Sequence, residues 1–220
     1  MEINVLMVDD HPPIIEGYKA ILSYNTFGYT INTVVAYNCE NAYSIITNTI
    51  KPIVFDLVFI DVTLPPFAEK NINSGEDLVF LVKQYLPSTK IVILTSHAES
   101  LVLHRILKEC KPEGLLIKSD FLSDEFLVAF DTILKGGNYY SATVKNQKHE
   151  LISSNKTLDS YNIQIIILLS QGVKTKNFHE HINLSTSAIE KRKAVIKDYF
   201  GITKGTDEDI LREARKLGFI

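Results

Sequence analysis

Cysteine is scarce. The chain has two in 220 residues, Cys39 and Cys110, without CxxC or metal-site spacing. This excludes a disulfide-stapled secreted scaffold and points to reduced thiols in a reducing compartment. Long hydrophobic runs are missing too. The longest candidate, Ile163–Leu169, spans seven residues with Gln164 among them, against the ~18 to 20 of a membrane helix. The opening Met1-Glu2-Ile3-Asn4 lacks the basic region of a secretory leader. The expectation is a cytoplasmic protein with no membrane segment. At 45% hydrophobic and 22% charged residues, the chain also lacks the bias of a disordered tail, a collagen or a coiled coil. Its length fits one large or two small domains.

Charge is unevenly spread. Residues 157–220 hold 10 of the 23 basic and 8 of the 26 acidic residues, a net of +2. The other 13 basic and 18 acidic residues leave residues 1–156 at −5. Two modules with different partners fit this asymmetry. The basic excess is too small to argue for nucleic acid by itself.

Short apolar runs punctuate the first part. Ile3–Val8 stops at Asp9-Asp10, Leu57–Ile60 at Asp61, Ile91–Leu94 at Thr95-Ser96, and Leu115–Ile117 at Lys118; a weaker run covers Ile31–Tyr37. Such runs suit strands buried on both faces of a parallel sheet. Helical stretches separate them: Ile14–Ser23 after Pro12-Pro13, Asn41–Ile50, a third opening at Ser74-Gly75-Glu76-Asp77, Glu99–Cys110, and a fifth from Ser123 to Gly136-Gly137. The expectation is a doubly wound α/β domain with five parallel strands.

In such a sheet, ligands sit at the carboxyl ends of the strands. Those ends carry Asp9, Asp10, Asp61, Thr95 and Lys118. Clustered carboxylates repel unless a cation joins them, and an oxygen-rich open site suits Mg²⁺. A carboxylate can also act as a nucleophile and form an aspartyl-phosphate. Lys118 would then meet the phosphoryl oxygens, and Thr95 would find a strong acceptor only after phosphorylation. Taken singly, each of these residues reads as a turn, cap or surface group. Their conjunction on one frame reads as a site.

The stretches Val5–His11, Asp56–Pro65, Ile93–Ser96 and Gly114–Lys118 resemble the receiver domain of two-component response regulators. The resemblance covers about residues 2–138 and implies the flavodoxin-like five-stranded fold. It implies that Asp61 is the phosphoacceptor for a sensor histidine kinase. Asp9, Asp10 and Asp61 would hold Mg²⁺, Thr95 would be the switch hydroxyl, and Lys118 would contact the phosphoryl group. Two features depart from the family. The segment 66–74 is long, and Leu115 stands where an aromatic switch residue is common. The long loop could tune phosphate lifetime or kinase choice, or be a tolerated insertion. His97, two residues past Thr95, and His11, beside the acidic pair, read as loop residues.

Residues 139–156 are polar, with Ser153-Ser154-Asn155-Lys156 at their end, and read as a linker. A helical region comes next. Ile163–Leu169 is apolar on nearly every side and reads as a core helix ending at Gly172. Thr175 can cap a short helix carrying Phe178 and Ile182, and Ser185 can cap the next. That helix would turn Ala188, Ile189, Val195, Ile196 and Phe200 inward and Lys191, Arg192, Lys193 and Lys197 outward. A last helix opens at Asp207-Glu208-Asp209 and stripes Leu211, Ala214 and Leu217. Two short helices joined by a tight turn, the second basic outside, make a helix-turn-helix.

Leu158–Gly172, Val173–Ile182, Leu184–Ile189 and Tyr199–Ile202 resemble the LuxR/NarL-type output domain. That resemblance covers about 157–202 and implies binding to double-stranded DNA as a homodimer. Lys174 and Lys176 would lie near phosphates. Residues 186–197, with Thr186, Ser187, Lys191, Arg192 and Lys197, would lie over the major groove. Glu190 stands where a basic residue is usual, and Lys193 at a usually apolar position, from which it could snorkel outward.

The sequence therefore reads as a response regulator rather than a dedicated enzyme. A receiver occupies residues 1–138, a linker 139–156 and an output domain 157–220. Two alternatives stand beside this reading. One is a phospho-regulated adaptor whose output domain binds a protein. The other is a phosphotransfer enzyme using an aspartyl-phosphate.

Overall fold

The computed structural model describes residues 1–48, 50, 53–153, 158–216 and 219–220, with the side chains at 101, 148–153 and 216 left aside. It divides into two compact units. The first comprises Met1–His97 and Arg105–Lys145, the second Ala98–His104 and Asn146–Ile220.

The first unit is built on a parallel sheet of β1 (Glu2–Val8), β2 (Thr30–Ala36), β3 (Leu57–Asp61), β4 (Lys90–Thr95), β5 (Gly114–Ile117) and β6 (Tyr139–Tyr140), in the order β2-β1-β3-β4-β5-β6. Every pair is parallel. The strand order reverses beside β1, so the ends of β1 and β3 flank the switch point. The residues of β3 and β5 are all buried, which is why they read as unbroken apolar runs.

Helices α1 (Pro12–Ser23) and α5 (Ser123–Leu134) cover one face. Ile15, Tyr18, Leu22, Phe126, Phe130 and Ile133 pack there against Ile3, Val5, Met7, Phe59, Val92 and Leu94. The alternate strand residues Leu6, Val58, Ile60 and Ile93 are equally buried. Helices α2 (Cys39–Ile46) and α3 (Gly75–Tyr85) pack against each other and against β2 and β3 respectively. Pro12-Pro13 opens α1, and the Asn38 side chain caps α2 by accepting from the Asn41 N–H at 2.8 Å. α2 ends at Ile46, short of the expected Ile50; residue 49 lies outside the described residues. The fourth expected helix is divided. Ser100–Arg105 is α-helical (α4), Ile106–Cys110 is a π-helical turn, and Lys111 at φ 42° closes it.

Two expectations need correcting. The sheet has six strands, and the stretch read as a linker begins inside it. Tyr139 N–H donates to Glu113 O at 2.9 Å and Ser141 N–H to Leu115 O at 3.1 Å. Asp120 then accepts from the Ser141 hydroxyl and from the N–H and hydroxyl of Thr143. That fixes the entry to α6 (Ala142–Ser153). Two paired residues are too few to show a strand period in the sequence. The end of that stretch, 154–157, lies outside the described residues.

The long segment after β3 is folded. Phe67 and Ile72 exchange backbone hydrogen bonds around a short 3-10 turn, Ala68–Lys70. Phe67 meets the Tyr43 ring of α2 edge-on at 5.7 Å, and the Lys70 ammonium lies over the same ring at 5.6 Å. Ile72 is buried. The insertion is thus clamped onto α2 by its own side chains.

In the second unit, α7 (Ser160–Ser170), a 3-10 turn at Thr175–Glu180, α8 (Thr186–Tyr199) and α9 (Asp207–Lys216) come after α6. Their core joins Ile165, Ile166, Phe178, Ile182, Ile189, Ile196, Ile210 and Ala214. Asp159 caps α7 at Asn162 N, and Ser185 caps α8 at Ala188 N. Thr175 caps nothing; its hydroxyl donates to Asp207 at 3.3 Å. Val195 does not turn inward, being 49% exposed, and Ile167 is 38% exposed. Of the expected last stripe, Ala214 is buried and Leu211 half-buried; Leu217 lies outside the described residues.

Gly75 brings the start of α3 into contact with the end of β3. A Cβ at this position would lie 1.9 Å from the Asp61 carbonyl oxygen and 2.8 Å from Ile60 Cγ2. Gly75 N–H also donates to Val62 O at 3.0 Å. No backbone-backed clash of that size relaxes cheaply. Gly75→Ala is therefore expected to lower stability by about 3 kcal/mol or more, read by denaturant unfolding. An unchanged midpoint would contradict this close approach.

Candidate functional site

The carboxyl ends of β1, β3 and β5 converge. The Lys118 ammonium, one residue past β5, lies 2.7 Å from Asp9 Oδ2 and 2.9 Å from Asp61 Oδ2. Both carboxylates are almost fully buried. Asp9, Asp10, His11 and Asp61 offer ligand atoms that all lie within 4.8 Å of one another. The loop geometry sets Asp9: the His11 N–H donates to its Oδ1 at 2.9 Å. His11 Nδ1 lies 3.3 Å from that same oxygen and 2.7 Å from Asp10 Oδ1. The Asp10 contact lacks hydrogen-bond alignment, so Asp10 Oδ1 is a buried oxygen without a hydrogen-bond donor. His11 is therefore no bystander of the acidic pair.

Thr95 ends β4 next to β3 and is buried. Its carbonyl accepts the Lys118 N–H at 2.7 Å, and its hydroxyl accepts the His97 N–H at 3.0 Å. The Thr63 N–H points at Asp61 Oδ1 at 3.4 Å, and the Thr63 hydroxyl lies 3.4 Å from His97 Nε2. All five residues singled out at the strand ends thus fall at one edge of the sheet. Lys118 bonds two of them directly, and its backbone joins a third. The His97–Thr63 contact was not visible in the sequence. The two residues lie 34 positions apart and meet only because β3 and β4 are neighbours.

Electrostatics reflect the geometry. Burial pushes the Asp61 carboxyl above the ordinary carboxylate range, and the Asp9 charge adds to this; the Lys118 bond and the Thr63 N–H offset only part of it. For Lys118, burial pulls the ammonium down, but its bonds to Asp9 and Asp61 outweigh that and hold it above its ordinary value. Two buried carboxylates thus share one ammonium, which leaves the site with more negative than positive charge. An Asp10 oxygen that makes no hydrogen bond, with the His11 ring 2.7 Å away, lies beside two buried carboxylates, and that set suits a hard divalent cation.

The second unit rearranges the expected basic face. Lys174, Lys176, Thr186, Ser187 and Lys191 are exposed. Arg192 is not available in the same way. Its guanidinium binds both Asp159 oxygens and Asn162 Oδ1, and stacks over Tyr161 at 4.9 Å. The Lys197 ammonium donates to Gly205 O at 2.7 Å. Lys193 does not snorkel. Its side chain is 9% exposed, with the ammonium 2.8 Å from Asp207 and 3.1 Å from the Thr175 hydroxyl. Acids at the starts of α7 and α9 hold Arg192 and Lys193, pairings over 33 and 14 residues that helical spacing cannot reveal.

With this geometry established, comparison defines the class. Residues 5–120 match the response regulator receiver domain, and the chain belongs to that family. It is a receiver joined to a helical output unit. Over its whole length it is similar to the transcriptional regulatory protein MctR of Rhizobium johnstonii, at 25% identity, covering 100% of this chain and 96% of MctR. Its fold resembles RcsB from Salmonella enterica serovar Typhimurium, solved bound to promoter P1flhDC in the presence of phosphomimetic BeF3− (TM-score 0.64, 20% identity, 99% and 98% coverage). It is also similar to a LuxR-family two-component response regulator from Aurantimonas sp. (TM-score 0.57, 25% identity, 70% and 100% coverage). Among the described residues, no helix is long and apolar enough to cross a membrane.

The raised Asp61 carboxyl makes a signed pH prediction. A group with a folded pKa above its unfolded one binds more protons when folded. Its favourable contribution is complete at low pH and is lost as pH rises from the ordinary carboxylate range through the raised value. Asp61→Asn removes that loss. In EDTA the variant is expected to melt above wild type at pH 7, with the gap closing as pH falls towards the ordinary carboxylate range. A gap independent of pH, by scanning calorimetry, would overturn the assignment.

Proposed function

We propose that this response regulator is phosphorylated on Asp61 by a sensor histidine kinase and that phosphorylation controls DNA binding, and so transcription, by the second unit. The observation that carries this is the Lys118 ammonium set against Asp61 and Asp9 at the switch point. Asp9, Asp10 and Asp61 would hold Mg²⁺, and the buried Asp10 oxygen that makes no hydrogen bond supports that set. A bound divalent cation supplies positive charge against the phosphoryl oxygens. An Asp61 carboxylate oxygen forms the bond to phosphorus as the bond to the kinase histidine nitrogen breaks. Lys118 then tracks the new negative charge from the carboxylate to the phosphoryl oxygens. The Thr95 hydroxyl, now accepting from the His97 N–H, gains an acceptor of its own. That would draw the 95–97 segment towards Asp61.

On this reading the first unit is the receiver, and the second places α8 in the major groove. A homodimer would address two half-sites about one helical turn apart. The protein is a regulator rather than a dedicated enzyme. A cytoplasmic location agrees with two buried thiols, each pushed up to about 11 by burial and so kept from thiolate chemistry. A second reading, a phospho-regulated adaptor that binds a protein, draws on the exposed acids Glu190 and Asp198 of α8.

Intact mass after incubation with a small acyl-phosphate donor tests the chemistry. The expected result is one Mg²⁺-dependent phosphoryl adduct on wild type and none on Asp61→Asn. An adduct retained in the variant, or absent from folded wild type, would overturn the assignment.

Duplex binding as a function of salt tests the output. Lys174→Ala and Lys176→Ala, both at exposed positions, are each expected to weaken binding across all sequences. Each should flatten the slope of log K against log salt by about 1. Salt-independent binding in wild type would favour the adaptor.

A further inference from the structure

The outward face of α8 has an unusual charge for a groove-binding helix. Ser187, Glu190, Lys191, Ala194 and Asp198 recur at helical spacing and are all exposed. Its charged groups are two carboxylates and one ammonium. The other three cations of the helix, Arg192, Lys193 and Lys197, are held by Asp159, Asp207 and Gly205 O. With Lys191 as its one outward cation, this face carries no net positive charge to attract phosphate.

Glu190 lies in the N-terminal part of α8, the part of a recognition helix that reaches base edges. Its side chain is 58% exposed, and its Oε1 lies 3.6 Å from the Lys193 ammonium. Lys193 is itself fixed by Asp207 and Thr175. The carboxylate is therefore positioned from behind and presented to the outside. In the major groove, a carboxylate is best served by a donor that does not have acceptors on both sides. Adenine N6 lies between two acceptors, its own N7 and the paired thymine O4, and guanine offers only acceptors there; the cytosine N4 amino group has an acceptor, guanine O6, on one side only.

We propose that Glu190 is a base-reading residue that accepts a hydrogen bond from the N4 amino group of a cytosine in the DNA half-site. The inference rests on the DNA-binding reading of the second unit and adds a specificity to it.

The experiment uses the full chain, phosphorylated with an acyl-phosphate donor and Mg²⁺. Duplexes are selected from a library randomised over two half-sites, for wild type, Glu190→Gln and Glu190→Ala. Melting temperatures check that the exposed substitutions leave the fold intact. Wild type is expected to require cytosine at one position of each half-site and to lose about 5- to 150-fold in affinity when it is replaced. Glu190→Gln should prefer adenine there, since an amide pairs with both N6 and N7. Glu190→Ala should show no preference at that position and leave the others unchanged. One consensus shared by all three proteins would overturn the inference while leaving DNA binding intact. So would uniformly tighter binding by Glu190→Ala, because Glu190 would then act by repulsion alone. Failure of wild type to bind any duplex at low salt would overturn both the DNA reading and the inference.

Discussion

One ammonium between two buried carboxylates organises the first unit. Lys118 reaches Asp9 and Asp61 from a third strand, so the contact exists only if β1, β3 and β5 end at the same level. Sheet register provides that: Val8 pairs with Ile60, and Asp61 with Leu94. Much of the local sequence serves the same alignment. Gly75 lets α3 start directly against the Asp61 carbonyl, and the His11 N–H fixes Asp9. Burying two like charges with one counter-charge is unfavourable unless further positive charge arrives. The edge of the sheet is thus built to gain from a cation, and its arrangement is the feature most sensitive to a change in charge at Asp61.

The frame of this site was legible in the sequence because strands buried on both faces leave continuous apolar runs, and each run here stops at a polar residue. Asp9, Asp61, Thr95 and Lys118 were placed by that punctuation alone. What escaped had no period to read. β6 is two residues long, and the turn after it is held by Asp120 through Ser141 and Thr143, contacts that span 21 and 23 residues. The π-helical turn Ile106–Cys110 differs from α-helix in hydrogen bonding, and not in which residues are apolar. The fold of the 66–74 segment depends on Tyr43, far away in sequence.

The second unit shows the opposite balance. Most of its core positions obey spacing: Ser185, Phe178, Ile182, Ile189 and Ile196 sit where spacing puts them, although Thr175 caps nothing and Val195 faces out. Its charges do not. A run of four residues from Glu190 to Lys193 looks like a solvated helix face with a basic bias. Yet Lys193 is drawn into the core by Asp207 and Arg192 is drawn aside by Asp159. A helical wheel assigns faces by angle, whereas the fate of a charge depends on which distant acid the tertiary fold brings near. Counting lysines and arginines therefore overstates the positive charge available to a ligand. The available charge lies at Lys174, Lys176 and Lys191 instead.

The same geometry bears on how a charge at Asp61 would be transmitted on the proposed reading. Leu115 is buried and apolar, so no aromatic hydroxyl at that position can move with Thr95. The structure offers a different connection. The Thr95 carbonyl accepts the Lys118 N–H and its hydroxyl accepts the His97 N–H, while the His97 ring meets Thr63 beside Asp61. Lys118 and Thr95 are therefore tied by backbone as well as facing the same site. A phosphoryl group that attracted both would also pull on the 95–97 turn and strain the His97–Thr63 contact. The route out of the site then runs through hydrogen bonds along the end of β4, and not through a side chain buried against β5.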